Sequence, residues 1–281
     1  MEIAFALVAA ALFALGSVLQ QKAGLDGGDR DRTGSAGLLL RMARRPVWLV
    51  GIAADALGFV FQVLALAVGR LAVVQPVLVS SVVYALPLGA RLTGQRVTRL
   101  DVGAALLVTA GLVGFLTIAD PTGGREDAPL RDWLIAGAAL AAIVVPLVLA
   151  ARRLGPAPRA ATLGIATGIL FSLSAALTIP VTDRLSDGIL EPLADWHLYA
   201  LIAVGYASMT LNQMALGTGA LAPAVATSMA LDPITSVVLG TTLLQETLHE
   251  SAIGTAGTLA ALAAALAGLV VLSRSTPLGQ A

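Results

Sequence analysis

The chain has 281 residues, of which 57% are hydrophobic and 12% charged, with a mean hydropathy of +0.88 and a formal net charge of zero. A soluble domain carries about 25% charged residues, so half that share, with Ala, Leu, Val and Gly in long blocks, argues for a polytopic, all-α membrane protein. There is no cysteine, which excludes disulfides, thiolate catalysis and cysteine-ligated metal sites.

A helix rises about 1.5 Å per residue, so crossing a hydrocarbon layer takes about 20 residues. Nine blocks reach that length: 2–22, 47–68, 71–92, 101–119, 132–151, 161–182, 198–217, 221–244 and 252–272. The first follows only Glu2, lacks a basic leader and is long for a signal core, so it reads as a retained span. Between the first two, "GSAGLLLRMARRP" at 34–46 has an apolar and a basic face, expected to lie along the membrane surface before Pro46 opens the next helix. Residues 120–131 include "DPTGGREDAP", a turn-rich polar link. Thirteen of the 17 basic residues, including Lys22, Arg44, Arg45, Arg91, Arg99, Arg152, Arg153 and Arg274, fall in connections opposite the N-terminus. Arg70, Arg125, Arg131 and Arg184 fall on the other side. The positive-inside rule then places the N-terminus outside and the C-terminus in the cytoplasm, in a multi-pass plasma-membrane protein.

The spans repeat. "LFALGSVL" at 12–19 matches "LFSLSAAL" at 170–177, and "ALAVGRLA" at 65–72 matches "ALGTGALA" at 215–222. Residues 1–119 form a first repeat, 120–160 a linker with a connecting helix, 161–273 a second repeat, and 274–281 a tail. Corresponding spans are five apart, an odd number, so the second copy runs inverted through the membrane, as in secondary transporters.

Catalytic patterns are scarce, and no enzyme or cofactor is expected. Lys22 is the one lysine, so no phosphate loop ending in Gly-Lys-Ser/Thr exists, and the histidines His197 and His249 belong to no metal-binding pattern. The glycines of "GTGALA" follow a membrane span and read as a tight turn.

The informative residues are polar groups at bilayer depth. Asp55 and Asp232 are the two acids well inside spans. An Asp at mid-membrane costs about 2.5–3.5 kcal/mol on insertion scales, so each cancels several apolar residues. Such acids face a bundle interior or a wet cavity, or bond a polar group on a neighbouring helix. Gln62 shares the Asp55 face two turns on, and the repeat sets Gln62 opposite Asn212. Tyr84 and Gln213 complete the candidate lining, with interhelical bonding as the plainer role for each. Asp232 precedes Pro233 at mid-span, where Asp as N-cap and Pro as first helical residue predict a helix break at Pro233. The repeat places Val82, not an acid, opposite Asp232.

The stretch "LALAVGRLAVVQPVLVSSVVYALPLGARLTGQRVTRLDVGAALLVTAGLVGFL" at 64–116 resembles the repeat of the drug/metabolite transporter superfamily, EamA type. In the turns of that repeat Gln95 stands where Glu is usual, and Glu246 in "LLQETL" keeps it. The nine spans and "GSVLQQKAG" at 16–24 are most similar to the NIPA branch. The resemblance implies a secondary carrier of a small solute, by proton-coupled metabolite or drug export. The branch implies magnesium or another divalent cation, with Asp55 and Asp232 as ligands; Mg²⁺ favours several oxygens. A non-transporting membrane scaffold is the reading from another class. The partners implied are a small-molecule or cation substrate, the lipid bilayer and a second copy in a homodimer, but no nucleic acid.

Overall fold

The computed structural model describes residues 1–25, 44–93, 98–216, 218, 221–248 and 252–274. The surface segment expected at 34–46 lies mostly outside them, as do Gln95, His249 and the side chain of Gln213. Among the described residues ten helices follow in order: α1 Glu2–Leu25, α2 Pro46–Val68, α3 Leu71–Leu78, α4 Ser81–Thr93, α5 Arg99–Ala119, α6 Leu130–Ala151, α7 Pro156–Asp187, α8 Trp196–Leu216, α9 Leu221–Thr242 and α10 Ala252–Arg274. A 3-10 turn, Glu191–Ala194, precedes α8. Two-residue strands, β1 Thr122–Gly123 and β2 Glu246–Thr247, pair antiparallel, with Thr122 opposite Thr247 and Gly123 opposite Glu246.

Local chemistry sets several helix starts. Pro46 and Pro156 occupy first-turn positions, where the missing N–H is no loss. Thr98 and Asp101 form a capping box for α5: the Thr98 amide donates to Asp101 Oδ2 at 2.7 Å, and the Asp101 amide to Thr98 Oγ1 at 3.2 Å. α7 starts at Pro156 and runs 32 residues, beyond both ends of the expected 161–182.

Among the described residues, six helical segments are long and apolar enough to cross a membrane: Glu2–Gln20, Pro46–Val68, Leu71–Leu92, Arg99–Ala119, Leu130–Ala151 and Pro156–Asp187. The interior is built from small residues. Ala6, Ala9, Ala10, Ala14, Ala65, Ala160, Ala166 and Ala176 are almost completely buried, whereas Leu106, Val113, Leu134, Ile135, Leu149 and Ile202 point outward. Small inside and large apolar outside is the arrangement bilayer packing favours, because lipid tails solvate Leu as well as a core does.

α1 packs along α2 and against α3 and α4, α7 packs along α8 and α9, and α5 packs along α10. α6 rests mainly on α7 with little of its surface covered.

Two mid-span features differ from expectation. α9 is continuous through Pro233, so the predicted break there is corrected. The Ser172 hydroxyl of α7 holds Asp232, the residue before the proline, and a polar neighbour of this kind is a condition under which membrane helices tolerate one. The interruption lies instead between α3 and α4, at Val79–Ser80. There Pro76 removes a donor, and the bonds tighten to three-residue spacing, with Val79 N–H donating to Pro76 O at 3.1 Å and Ser80 N–H to Val77 O at 3.0 Å.

Candidate functional site: two mid-span acids and a polar layer at one end

Asp232 is held where α9 crosses α7. Gly168 of α7 faces Ser228 O and the Asp232 amide so closely that any side chain there would strike α9. That approach lets the buried Ser172 hydroxyl come within 2.6 Å of Asp232 O, 2.9 Å of Asp232 Oδ1 and 3.1 Å of Gly168 O. One hydroxyl has one proton to donate, so these acceptors compete for it. Ser236, one turn on and fully buried, stands 3.4 Å from Oδ1. The N-cap reading of Asp232 is replaced by this one: its carboxyl meets hydroxyls of two helices, not the amides of a new helix.

Asp55 sits where α2 crosses α1. Gln20 Nε2 donates to its Oδ2 at 2.5 Å, and Gly16 leaves the space its carboxyl occupies. Among the described residues no Arg, Lys or His forms an ion pair with either acid. Gln20→Leu is expected to destabilise the protein by about 0.5–1.5 kcal/mol, because it strips a half-buried carboxyl of its donor, whereas Gln20→Leu with Asp55→Leu should recover most of the loss. Thermal unfolding in detergent reads both; a double variant weaker than the single would count against the assignment.

The two acids occupy separate crossings, each on a different pair of helices. Gln62, Tyr84 and Asn212 are half-buried on α2, α4 and α8, and among the described residues none bonds either acid. Sequence reading missed Gln75, which is 3% exposed and whose Nε2 is buried without a hydrogen-bond partner. An amide beside a proline in "VVQPVLVSS" was the available signal. Ser80 Oγ, at the α3–α4 interruption, is likewise buried and unpaired. Ser172 and Ser236 were also missed, since single hydroxyls in apolar runs carry no mark of their own.

A polar layer closes one end of the bundle. Glu246, 5% exposed, accepts from the Leu71 amide at 2.7 Å and the Ala72 amide at 2.9 Å, which are the first two of α3. Glu2 accepts from the Arg70 amide at 3.0 Å, and Arg70 Nε reaches Gly123 O at 3.3 Å. Arg125 donates twice to Leu243 O, at 3.0 and 2.8 Å, placing a cation at the C-terminal end of α9, and pairs with Asp132 at 3.0 Å. The buried His197 stands between Asp195 and Asp127: Nδ1 is 2.6 Å from Asp195 Oδ1, and Nε2 is 3.1 Å from Asp127 Oδ1 without an aligned hydrogen bond. Trp133 donates to Asp127 at 2.9 Å and meets the His197 ring edge-on, and Trp196 lies 3.9 Å from that ring.

Arg184 pairs with Asp195 at 2.9 Å. Burial alone would raise the Asp195 carboxyl, but the backbone and side-chain bonds of His197 and the charges of His197 and Arg184 outweigh it, leaving the value below the ordinary 3.8. A lowered value means stability that is present above pH 3.8 and is lost as pH falls through the lowered value. Melting curves below pH 4 should therefore flatten in Asp195→Asn; unchanged acid sensitivity would remove this role.

These contacts gather the start of α1, the α2–α3, α5–α6, α7–α8 and α9–α10 connections at one end. The molecule is thus a helical multi-pass membrane protein with uncompensated acids inside its bundle. It is 29% identical over 247 residues to an uncharacterized protein of Corynebacterium glutamicum, a match covering 88% of this chain and 85% of that one. No described protein family matches the chain, and no solved structure matches it significantly.

Proposed function

We propose that the protein is a secondary carrier of a small solute, similar to the EamA type of the drug/metabolite transporter superfamily, with nine spans and two inverted repeats. The observation that carries this reading is the twofold order of the helix packing. The first helix of each half (α1, α7) packs along the two spans that follow it, α2 and α3–α4 in one half, α8 and α9 in the other, while the last helices, α5 and α10, pack on one another. Such an order is what two inverted copies about an in-plane axis produce, and it lets the halves rock about a shared middle. The gathering of alternate connections at one end supports nine crossings. The excess of Arg at the opposite end supports an N-terminus outside and a plasma-membrane location.

Each half contributes one carboxyl, Asp55 or Asp232, held by neutral donors. A carboxyl without a counter-charge can exchange its proton or meet a cationic or donor-bearing solute. The divalent-cation alternative needs several oxygen ligands together, and among the described residues no three of His, Cys, Asp and Glu gather that way. A solute is therefore the cargo proposed. Counterflow in proteoliposomes against a panel of amino acids, amines, sugars and nucleosides, with Mg²⁺ flux as a separate arm, tests the reading. Saturable uptake of one class, sensitive to a pH gradient, is expected. Metal flux alone would favour the cation carrier, and no flux of any kind would favour the scaffold.

A further inference from the structure

The carboxyl of Glu246 belongs to one half of the chain and the amides it binds belong to the other. It follows α9 directly, yet both oxygens are engaged by the first turn of α3, 175 and 174 positions earlier. Those amides have no acceptor inside their own helix, and the helix dipole adds positive potential there. The neighbouring structure makes room for the contact. Gly240 has no side chain where the carboxyl lies, and Gly123 pairs with Glu246 across the two-stranded ladder. One turn below, on α3, is the unpaired Gln75, and beyond it the interruption at Val79–Ser80.

We propose that the Glu246 clasp on α3 is the gate at this end of the bundle, closing the way along α3 toward the polar groups at mid-span. The inference rests on the carrier reading and adds to it the residue that joins the halves at this end. The charged groups around the clasp are Glu2 from α1, Arg70 before α3 and, on the linker, Arg125, which is engaged with Leu243 O and Asp132. Burial pushes the Glu246 carboxyl above its ordinary 4.5; the Ala72 and Leu71 amides and then Arg70 pull it back, and Glu2 pushes it up again. The closed clasp therefore holds a proton more tightly than an open, hydrated one. Acid stabilises closure, and opening increases as pH rises through the closed-state value.

The chain lacks cysteine, so Gln75→Cys gives one thiol just beneath the clasp. In proteoliposomes a membrane-impermeant maleimide, added on the side of an N-terminal tag, should label it slowly when Glu246 is intact. Labelling should be at least about tenfold faster with Glu246→Ala and intermediate with Glu246→Gln, which keeps one acceptor oxygen. After correction for thiol ionisation, labelling with Glu246 intact should rise with pH, and the Glu246→Ala background should lose that dependence. Val108→Cys, fully buried where α5 meets α10, should stay protected in both backgrounds. Unchanged Gln75→Cys labelling in Glu246→Ala overturns the gate, and so does equal exposure of Val108→Cys, which would mean general loosening. Solute flux with no change in labelling removes the gate and leaves the carrier; a labelling change without flux of any cargo removes the carrier.

Discussion

Asp232→Asn should lower solute flux by about tenfold or more, roughly 1.4 kcal/mol of barrier, while leaving the folded yield near that of the unaltered protein. Asn matches Asp in size, and its amide can still accept from Ser172 and Ser236, so the α7–α9 crossing keeps its shape. What is lost is a carboxyl that can be charged or neutral. If Asp232 exchanges a proton during the cycle, residual flux in the variant should no longer follow an imposed pH gradient. Ser172→Ala separates packing from chemistry: it removes a hydrogen bond worth about 0.5–1.5 kcal/mol but leaves the carboxyl, so flux should fall less than in Asp232→Asn. Counterflow assays on the two variants side by side decide the matter. Flux and gradient dependence that survive Asp232→Asn would make the residue an interhelical strut.

The second large effect lies at the α5–α10 crossing. A side chain at Gly111 would strike the Ala265 amide and Ala261 O, and one at Gly268 would strike Ala104 O and Val108. Backbones this close are possible only with hydrogen at those positions, the small-residue contact typical of membrane helices. Gly111→Leu should destabilise the fold by at least about 1–3 kcal/mol, the usual cost of overpacking, and sharply reduce the monodisperse yield in detergent. Gly103, on the same helix, faces open space. There Gly103→Ala should be neutral or stabilising by about 0.5–1 kcal/mol through helix propensity alone. Thermal unfolding of the pair gives a direct contrast. A Gly111→Leu variant as stable as Gly103→Ala would mean that the two helices do not approach so closely.

Helix positions were readable because bilayer thickness imposes a length and hydropathy marks it. The segment expected at 252–272 is α10, Ala252–Arg274, and that expected at 47–68 is α2, Pro46–Val68. Proline behaviour was not readable. Pro76 and Pro233 look alike in sequence, but Pro233 follows Asp232, which Ser172 holds from 60 positions away, while Pro76 precedes an interruption. The depth of Asp55 and Asp232 was legible from their place in apolar runs; their partners Gln20 and Ser172 were not, because helix rotation decides which hydroxyl or amide meets a carboxyl. The same applies at the polar end. Asp127 lies in the α5–α6 connection, and Asp195 and His197 lie at the start of α8, and nothing local in either announces the other.

The distance along the chain between Glu246 and Leu71 also bears on how the protein is made. At about 5–20 residues per second, Glu246 is synthesised roughly 9–35 s after the amide it binds. Throughout that interval the first turn of α3 lacks its acceptor, and water or a passing anion must serve instead. β1 waits as well, since its partner strand contains the same glutamate. The amino-terminal half is thus completed by a segment made 175 positions later, and shortened chains ending before residue 246 should reach the membrane with that helix end still open.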